Sequence, residues 1–219
     1  MNRKIAVIAG TPVDTKMGID FVHSMDSSIE CLYLPVGKSS YESHMFEMQD
    51  IETMRAFFGK MHESIRQEGV EDVFVYCNSL AATFDFESFF SDMRVYTPLM
   101  VYRDIATRYD RIAVIAANLQ SAAGIEKTIA SASEHAIVMG FGDIEIVHAI
   151  ERGEKPSDIV ERFALDTLMK FYEANDADCL ILGCTHFPYL KEELGRHTSL
   201  TLIDPAMDMY EMLERNLSR

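Results

Sequence analysis

The chain has 219 residues, 48% hydrophobic and 25% charged, a globular composition that excludes a disordered protein and leaves ample length for a core. Thirty-five Asp and Glu against 20 Lys and Arg give a net charge of −15, which argues against nucleic acid or an anionic membrane as partner. The apolar runs are too short and too broken by charge for a spanning helix. Met1-Asn2-Arg3-Lys4-Ile5 enters a strand-like run rather than a signal peptide, and four cysteines do not make a disulfide scaffold, so a cytoplasmic protein with free thiols is expected.

Lys4–Ala9 reads as the first strand, ending at Gly10-Thr11-Pro12. A second strand over 29–34 is stopped by Pro35 and Gly37. Ile51, Met54, Phe57, Phe58, Met61 and Ile65 recur at helical spacing, which predicts one helix over 45–67, ended by Gly69. A strand over 73–76 leads into Cys77-Asn78-Ser79, a helix follows over 84–93, and 99–101 is strand-like. At Arg111 the pattern restarts: strands are predicted over 111–116, 136–139, 179–182 and 200–203. Helices are predicted over 121–133, 143–152 and 157–173, and from Pro205 to the end. Alternation of this kind implies an α/β fold with mainly parallel sheets flanked by helices. The restart divides the chain into two pseudo-symmetric lobes, 1–98 plus 205–219 and 99–204, with an active site in the cleft between them. Residues 72–79 and 178–185 support the duplication: each is an acidic residue, an apolar strand, a Cys and a polar turn.

Ligands of open parallel sheets sit beyond the carboxyl ends of the strands, where Cys77 and Cys184 both fall. A thiol there faces the N-terminus of the next helix, whose partial positive charge favours thiolate. Two thiols flanking one carbon suit inversion of a stereocentre: one takes the α-proton and the other returns a proton from the far face. Against this stand the ordinary buried cysteine, which is how Cys31 and Cys179 read, a zinc site built from Cys77, Cys184 and His186, and a redox pair, although no C-x-x-C occurs.

Leu180-Ile181-Leu182-Gly183-Cys184-Thr185-His186-Phe187-Pro188 resembles the second catalytic motif of the cofactor-independent aspartate/glutamate racemase superfamily, in its glutamate-racemase form, and Cys77-Asn78-Ser79 resembles the first. Pro35-Val36-Gly37 is similar to the family's Pro-Tyr-Gly substrate loop, and Ala149-Ile150-Glu151-Arg152-Gly153 is similar to a segment whose acidic residue assists catalysis. The resemblance implies two α/β lobes and an amino-acid racemase acting on glutamate or a related amino acid. Cys77 and Cys184 would be its bases, on the D- and L-enantiomer respectively, assisted by His186, Asp14 and Glu151. Gly10, Thr11, Pro35, Val36, Gly37, Asn78, Ser79, Asn118 and Thr185 would line the substrate. Dimers are common among proteins resembling this chain, so a homodimer is compatible with it. Departures fall in the specificity shell: the family's first loop, Asp-Ser-Gly with further glycines, becomes a loop from Gly10 to Gly18 that holds Asp14, Val36 replaces the loop tyrosine, and Ala117-Asn118-Leu119-Gln120-Ser121 replaces a Thr/Gly-rich loop.

Bland roles compete at three of these positions. His186 can cap the helix after it, Asp14 can shape a turn, and Glu151 can be a solvated helix-end charge. No nicotinamide, flavin or pyridoxal signature is present, Gly140-Phe141-Gly142 lacking the third glycine that would open a helix, and no metal is expected, since the spacing of Cys77, Cys184 and His186 is not that of a zinc finger or ribbon. No cofactor is expected, and the partner is a small-molecule amino acid. Two further readings remain: an isomerase or decarboxylase of another small carboxylate, and a non-catalytic ligand-binding relative.

Overall fold

A computed structural model of the protein describes residues 3–217; Met1, Asn2, Ser218 and Arg219, the outermost residues of the first expected lobe, lie outside the described residues. Strands β1 (Lys4–Ala9), β2 (Glu30–Pro35), β3 (Asp72–Val75) and β4 (Arg94–Tyr96) form one sheet in the order β2-β1-β3-β4. Strands β5 (Arg111–Ala116), β6 (Ile137–Gly142), β7 (Cys179–Gly183) and β8 (Thr201–Ile203) form a second in the order β6-β5-β7-β8. All neighbouring strands within each sheet are parallel. This is the α/β architecture that the strand–helix alternation implies.

One compact unit takes in the chain up to Met100 together with the stretch from Ala206, and a second covers Val101–Pro205. In the first, β1 carries the core, with Ile5 to Ala9 fully buried. Helices α1 (Pro12–Met25), α2 (Ser40–Glu47), α3 (Ile51–Gln67), α4 (Asn78–Thr83) and α5 (Phe86–Phe89) surround its sheet. The α3 face packs through Phe58 on Phe84 and Phe86, with ring centroids 4.5 and 4.8 Å apart. Helix α6 (Pro98–Ile105) runs into the second unit, whose β5 is buried in the same way as β1. Helices α7 (Leu119–Ala132), α8 (Ile144–Glu151), α9 (Pro156–Arg162), α10 (Leu165–Ala174) and α11 (Lys191–Leu194), with a 3₁₀ turn over Phe187–Leu190, complete that unit. The last helix, α12 (Pro205–Leu217), returns to the first unit: Tyr210 meets Phe21 edge-on at 6.2 Å, and Asn216 Nδ2 donates to the Tyr96 hydroxyl at 3.0 Å.

Five local expectations are corrected. The segment from Pro12 is a helix rather than a loop: Thr11 caps it and Pro12 opens it, but its buried face is Asp14, Thr15, Gly18 and Val22, too polar to show an apolar stripe. The single helix over 45–67 is two, because Asp50 Oδ1 accepts from the Thr53 amide at 2.9 Å and starts α3 afresh. Residues 99–101 lie inside α6, the strand being β4 just before it. The helix over 84–93 is only the four residues of α5, and the helix over 157–173 is interrupted at Ala164, in the left-handed region (φ 50°).

Candidate active site

In the first unit three strand ends converge. The Val36 and Gly37 amides donate to the Ala9 and Gly10 carbonyls at 3.0 and 2.9 Å, which extends the β1–β2 ladder past Pro35. The Tyr76 amide donates to the Ile8 carbonyl at 2.7 Å and carries β3 on to Cys77. Gly10 is needed here: a Cβ would lie 2.7 Å from Ser43 Oγ, 3.3 Å from Asp14 Oδ2 and 3.5 Å from Cys77 Sγ. Thr11, Asp14, Ser43, Cys77 and Asn78 are all buried. Thr11 Oγ1 accepts from the Asp14 amide at 3.1 Å, so Asp14 is held in the first turn of α1 beside the thiol.

Cys77 is the N-cap of α4. Its Sγ lies 3.4 Å from Ser79 Oγ, and that hydroxyl donates to Glu47 Oε1 at 2.6 Å. Glu47 was not legible as a site residue, since it sits in what reads as the body of one long helix; it is in fact the buried last residue of α2. Burial pushes its carboxyl up to about 7, assisted by the nearby charge of Asp14 and opposed by the Ser79 hydrogen bond. The expectation that the helix terminus favours thiolate fails at Cys77. Burial first, then the charges of Glu47 and Asp14, push this thiol well up, against the smaller opposing pull of Ser79 and the Leu80 amide. A six-residue helix cannot outweigh desolvation plus two carboxyl groups.

In the second unit, Cys184 follows β7 and is buried. Its Sγ is 3.7 Å from His186 Nδ1, and His186 Nε2 lies 3.3 Å from Oε1 of Glu151, the last residue of α8. The His186 side chain makes no cap to the 3₁₀ turn that follows it. Contact with His186 holds the Glu151 carboxyl below its ordinary range, against a smaller upward pull from burial. A carboxylate at Nε2 favours the proton on that nitrogen and leaves Nδ1 able to accept from the thiol. Tyr102 of α6 is fully buried; burial, then Asp204 and Cys184, raise its hydroxyl far above the ordinary value. Nothing in the sequence marked it, since residues 99–101 just before it read as a strand. Thr185 is buried beside Cys184, and Asn118 caps α7, its Oδ1 accepting from the Ser121 amide at 2.8 Å.

The structure thus groups Gly10, Thr11, Asp14, Gly37, Asn78, Ser79 and Cys77 at one strand end, with Pro35 and Val36 leading into it. Cys184, Thr185, His186 and Glu151 gather at the other, where Asn118 tops the adjacent β5. All four cysteines are free; Cys179 is fully buried, while Cys31 is only half-buried. Among the described residues no group of three or more His, Cys, Asp or Glu is arranged to hold a metal ion, and no helix is long and apolar enough to cross a membrane.

Two parallel α/β sheets, each with a cysteine at the end of a central strand, define a class of protein that comparison with known sequences makes specific. The Asp/Glu/Hydantoin racemase family profile matches residues 95–208, over half of the chain, and the protein belongs to that family. The chain is 26% identical over 175 residues to a glutamate racemase of Latilactobacillus sakei, covering 76% of this chain and 63% of that protein. It is 26% identical over 176 residues to glutamate racemase 2 of Caldanaerobacter subterraneus, covering 77% and 65%. The chain therefore spans just under two thirds of the length of these relatives. In fold it resembles the glutamate racemase of Francisella tularensis solved with D-glutamate, at 20% identity and TM-score 0.79 over 99% of this chain and 81% of that one. It also resembles allantoin racemase from Klebsiella pneumoniae, at 15% identity and TM-score 0.67 over 99% and 88%.

Proposed function

We propose that this protein is a cofactor-independent amino-acid racemase that inverts Cα by two-base proton transfer between Cys77 and Cys184, with glutamate or a related amino acid as substrate. The observation that carries this is the matched placement of the two thiols: each is buried at the carboxyl end of a central parallel strand, beside its own polar relay. Membership of a racemase family and the naming of the relatives as glutamate racemases support the reaction class.

From the L-enantiomer, Cys184 takes the α-proton, with His186 Nδ1 as the group that keeps its sulfur free of a proton and Glu151 holding the ring. Cys77, which rests as a thiol, delivers a proton to the opposite face. The roles reverse from the D-enantiomer, where Cys77 must first lose its proton. Backbone amides at the start of α4, that of Ser79 among them, and after Cys184, together with the side chains of Asn78 and Thr185, are the donors for the substrate carboxylate. Asp14 is the partner of the ammonium group. Pro35, Val36, Gly37 and Asn118 shape the substrate pocket. The enzyme is further proposed to work in the cytoplasm as a homodimer, without nucleic-acid or membrane partners.

The test is circular dichroism of single enantiomers of glutamate, aspartate and neutral or basic amino acids over time, with deuterium incorporation at Cα in D₂O. Loss of optical rotation with solvent deuterium at Cα supports the proposal. Optical stability across the panel, with no deuterium uptake, overturns it in favour of a binding protein. Loss of carbon dioxide instead identifies a decarboxylase.

A further inference from the structure

Glu47 has no place in the two-base scheme, yet it is buried next to one of the two thiols. Phe46 packs on Phe57 and Phe58 with ring centroids 4.8 and 5.6 Å apart, which anchors the end of α2 against α3 and fixes the neighbouring carboxyl. Glu47 is 6% exposed and Cys77 is also 6% exposed, so neither group is freely hydrated. Between them stands a hydroxyl with one hydrogen. Ser79 spends that hydrogen on Glu47 Oε1 at 2.6 Å, so at the 3.4 Å contact its oxygen is left to accept from the Cys77 thiol.

We infer that Glu47 is a positioning residue for Cys77: acting through Ser79, it receives the thiol proton when Cys77 becomes a thiolate and returns it when the thiol re-forms. In the forward step the S–H proton of Cys77 passes to Ser79 Oγ while the Ser79 hydroxyl proton passes to Glu47 Oε1. The products are a thiolate and a neutral carboxylic acid, and the total number of protons is unchanged. The acid then donates to Ser79, which turns its own hydrogen toward the thiolate. The relay thus works in either direction without an external acid or base.

The groups that face this pair are few. From α1 Asp14 contributes a charge felt by both Glu47 and Cys77, from α4 come Ser79 and the Leu80 amide, and Ser43 lies on α2 near Gly10. Since burial holds the Glu47 carboxyl near 7, the relay changes state in the neutral range. Below that point both groups carry protons, and the thiolate fraction rises tenfold per pH unit. Above it the pair shares a single proton, and the thiolate fraction levels off at the share held by the thiolate–carboxylic-acid form.

This inference rests on reading Cys77 as an acid–base group, but its test needs no substrate. The full-length protein is alkylated with iodoacetamide between pH 5.5 and 9.5, and modification of each cysteine is followed by peptide mass spectrometry. In the parent, Cys77 modification should climb with pH and level off near pH 7. Glu47→Gln, a fixed neutral donor to Ser79, should remove the plateau and modify Cys77 about tenfold faster at pH 8, by a margin that widens as pH rises further. The Cys184 profile should stay unchanged and serves as the control for folding. In the Ser79→Ala background the gain from Glu47→Gln should shrink to the part that the Glu47 charge exerts through space.

A parent profile with no plateau overturns the inference, and needs no variant. An equal gain with and without Ser79 also overturns it, since Glu47 would then act by its field alone. Failure of racemisation leaves these results untouched, and failure of the relay leaves the two-base reaction intact.

Discussion

His186 Nε2 lies 3.3 Å from Glu151 Oε1, which ties a buried imidazole at the end of β7 to the last turn of α8. Since the Glu151 carboxyl is held below its ordinary value, first by His186, its ionised form is the one the fold favours. The stabilisation is complete above the unfolded carboxylate value of about 4.3 and is lost as pH falls through the lower folded value. Glu151→Gln should therefore lower stability at pH 7 and flatten its decline in acid, as urea unfolding between pH 3 and 7 would show. A decline as steep as the parent's would mean that the contact does not stabilise the carboxylate.

Asp72 opens β3 and is nearly buried, and it receives Arg94 through two nitrogens at 2.7 Å each and the Tyr96 hydroxyl at 2.9 Å. A bidentate guanidinium contact with a third donor is among the stronger side-chain arrangements. Asp72→Ala should cost about 2–3 kcal/mol, the upper range for hydrogen bonds to a charged group, because Arg94 is half-exposed and can rehydrate. Urea unfolding measures this; a loss below about 0.5 kcal/mol would place the pair with ordinary surface ion pairs.

The architecture was legible because apolar runs repeat. β1 and β5 carry the same residues but for the first, and the burial of β2 matches that of β6 position by position. The acidic residues before the two cysteine strands looked equivalent in sequence but do different work. Asp72 pairs with Arg94, whereas Asp178 Oδ2 accepts from the Asp110 and Arg111 amides at 3.0 and 2.8 Å. The polar groups at the strand ends were legible where they sat in a motif, as Cys184, Thr185 and His186 did. Glu47 was not, because its role is created by a helix break at Met48-Gln49, just ahead of the apolar stripe that starts at Ile51, and no glycine or proline marks that break. The state of Cys77 was misjudged because burial, which raises it most, and the carboxyl groups of Glu47 and Asp14, which add to it, are brought to it by packing of α1 and α2, distant in sequence.

Glycines give opposing predictions at two places. A Cβ on Gly142 would stand 2.4 Å from the Asn118 carbonyl carbon, a backbone atom that cannot yield without moving the start of α7. Gly59, within α3, has nothing within 4 Å of the same position. Gly142→Ala should lower stability by about 1–3 kcal/mol, the usual cost of overpacking. Gly59→Ala should raise it by about 0.5–1 kcal/mol through helix propensity. Thermal unfolding of the two variants beside the parent decides both; a stabilised Gly142→Ala would show that β6 and Asn118 separate easily.

If the two thiols serve opposite faces of one carbon, their losses must differ in kind. Cys77→Ser and Cys184→Ser should each abolish complete racemisation, because a hydroxyl is a far weaker base than a thiolate. The fall should be at least the 10²–10⁴-fold, roughly, that one positioned general base supplies. Each variant should retain a one-sided reaction with a substrate analogue that carries a leaving group beside the α-carbon. The resemblance assigns the D-enantiomer to Cys77, so Cys184→Ser should eliminate only from the D-analogue and Cys77→Ser only from the L-analogue. Cys31→Ser, at a half-buried site, and Cys179→Ser, at a fully buried one, should change stability but not the enantiomer preference. Deuterium uptake at Cα, started separately from each enantiomer, reads the same distinction on the natural substrate. If Cys184→Ser still racemised at the parent rate, the L-face would need another base, and His186, which lies 3.7 Å from that sulfur, is the first to replace.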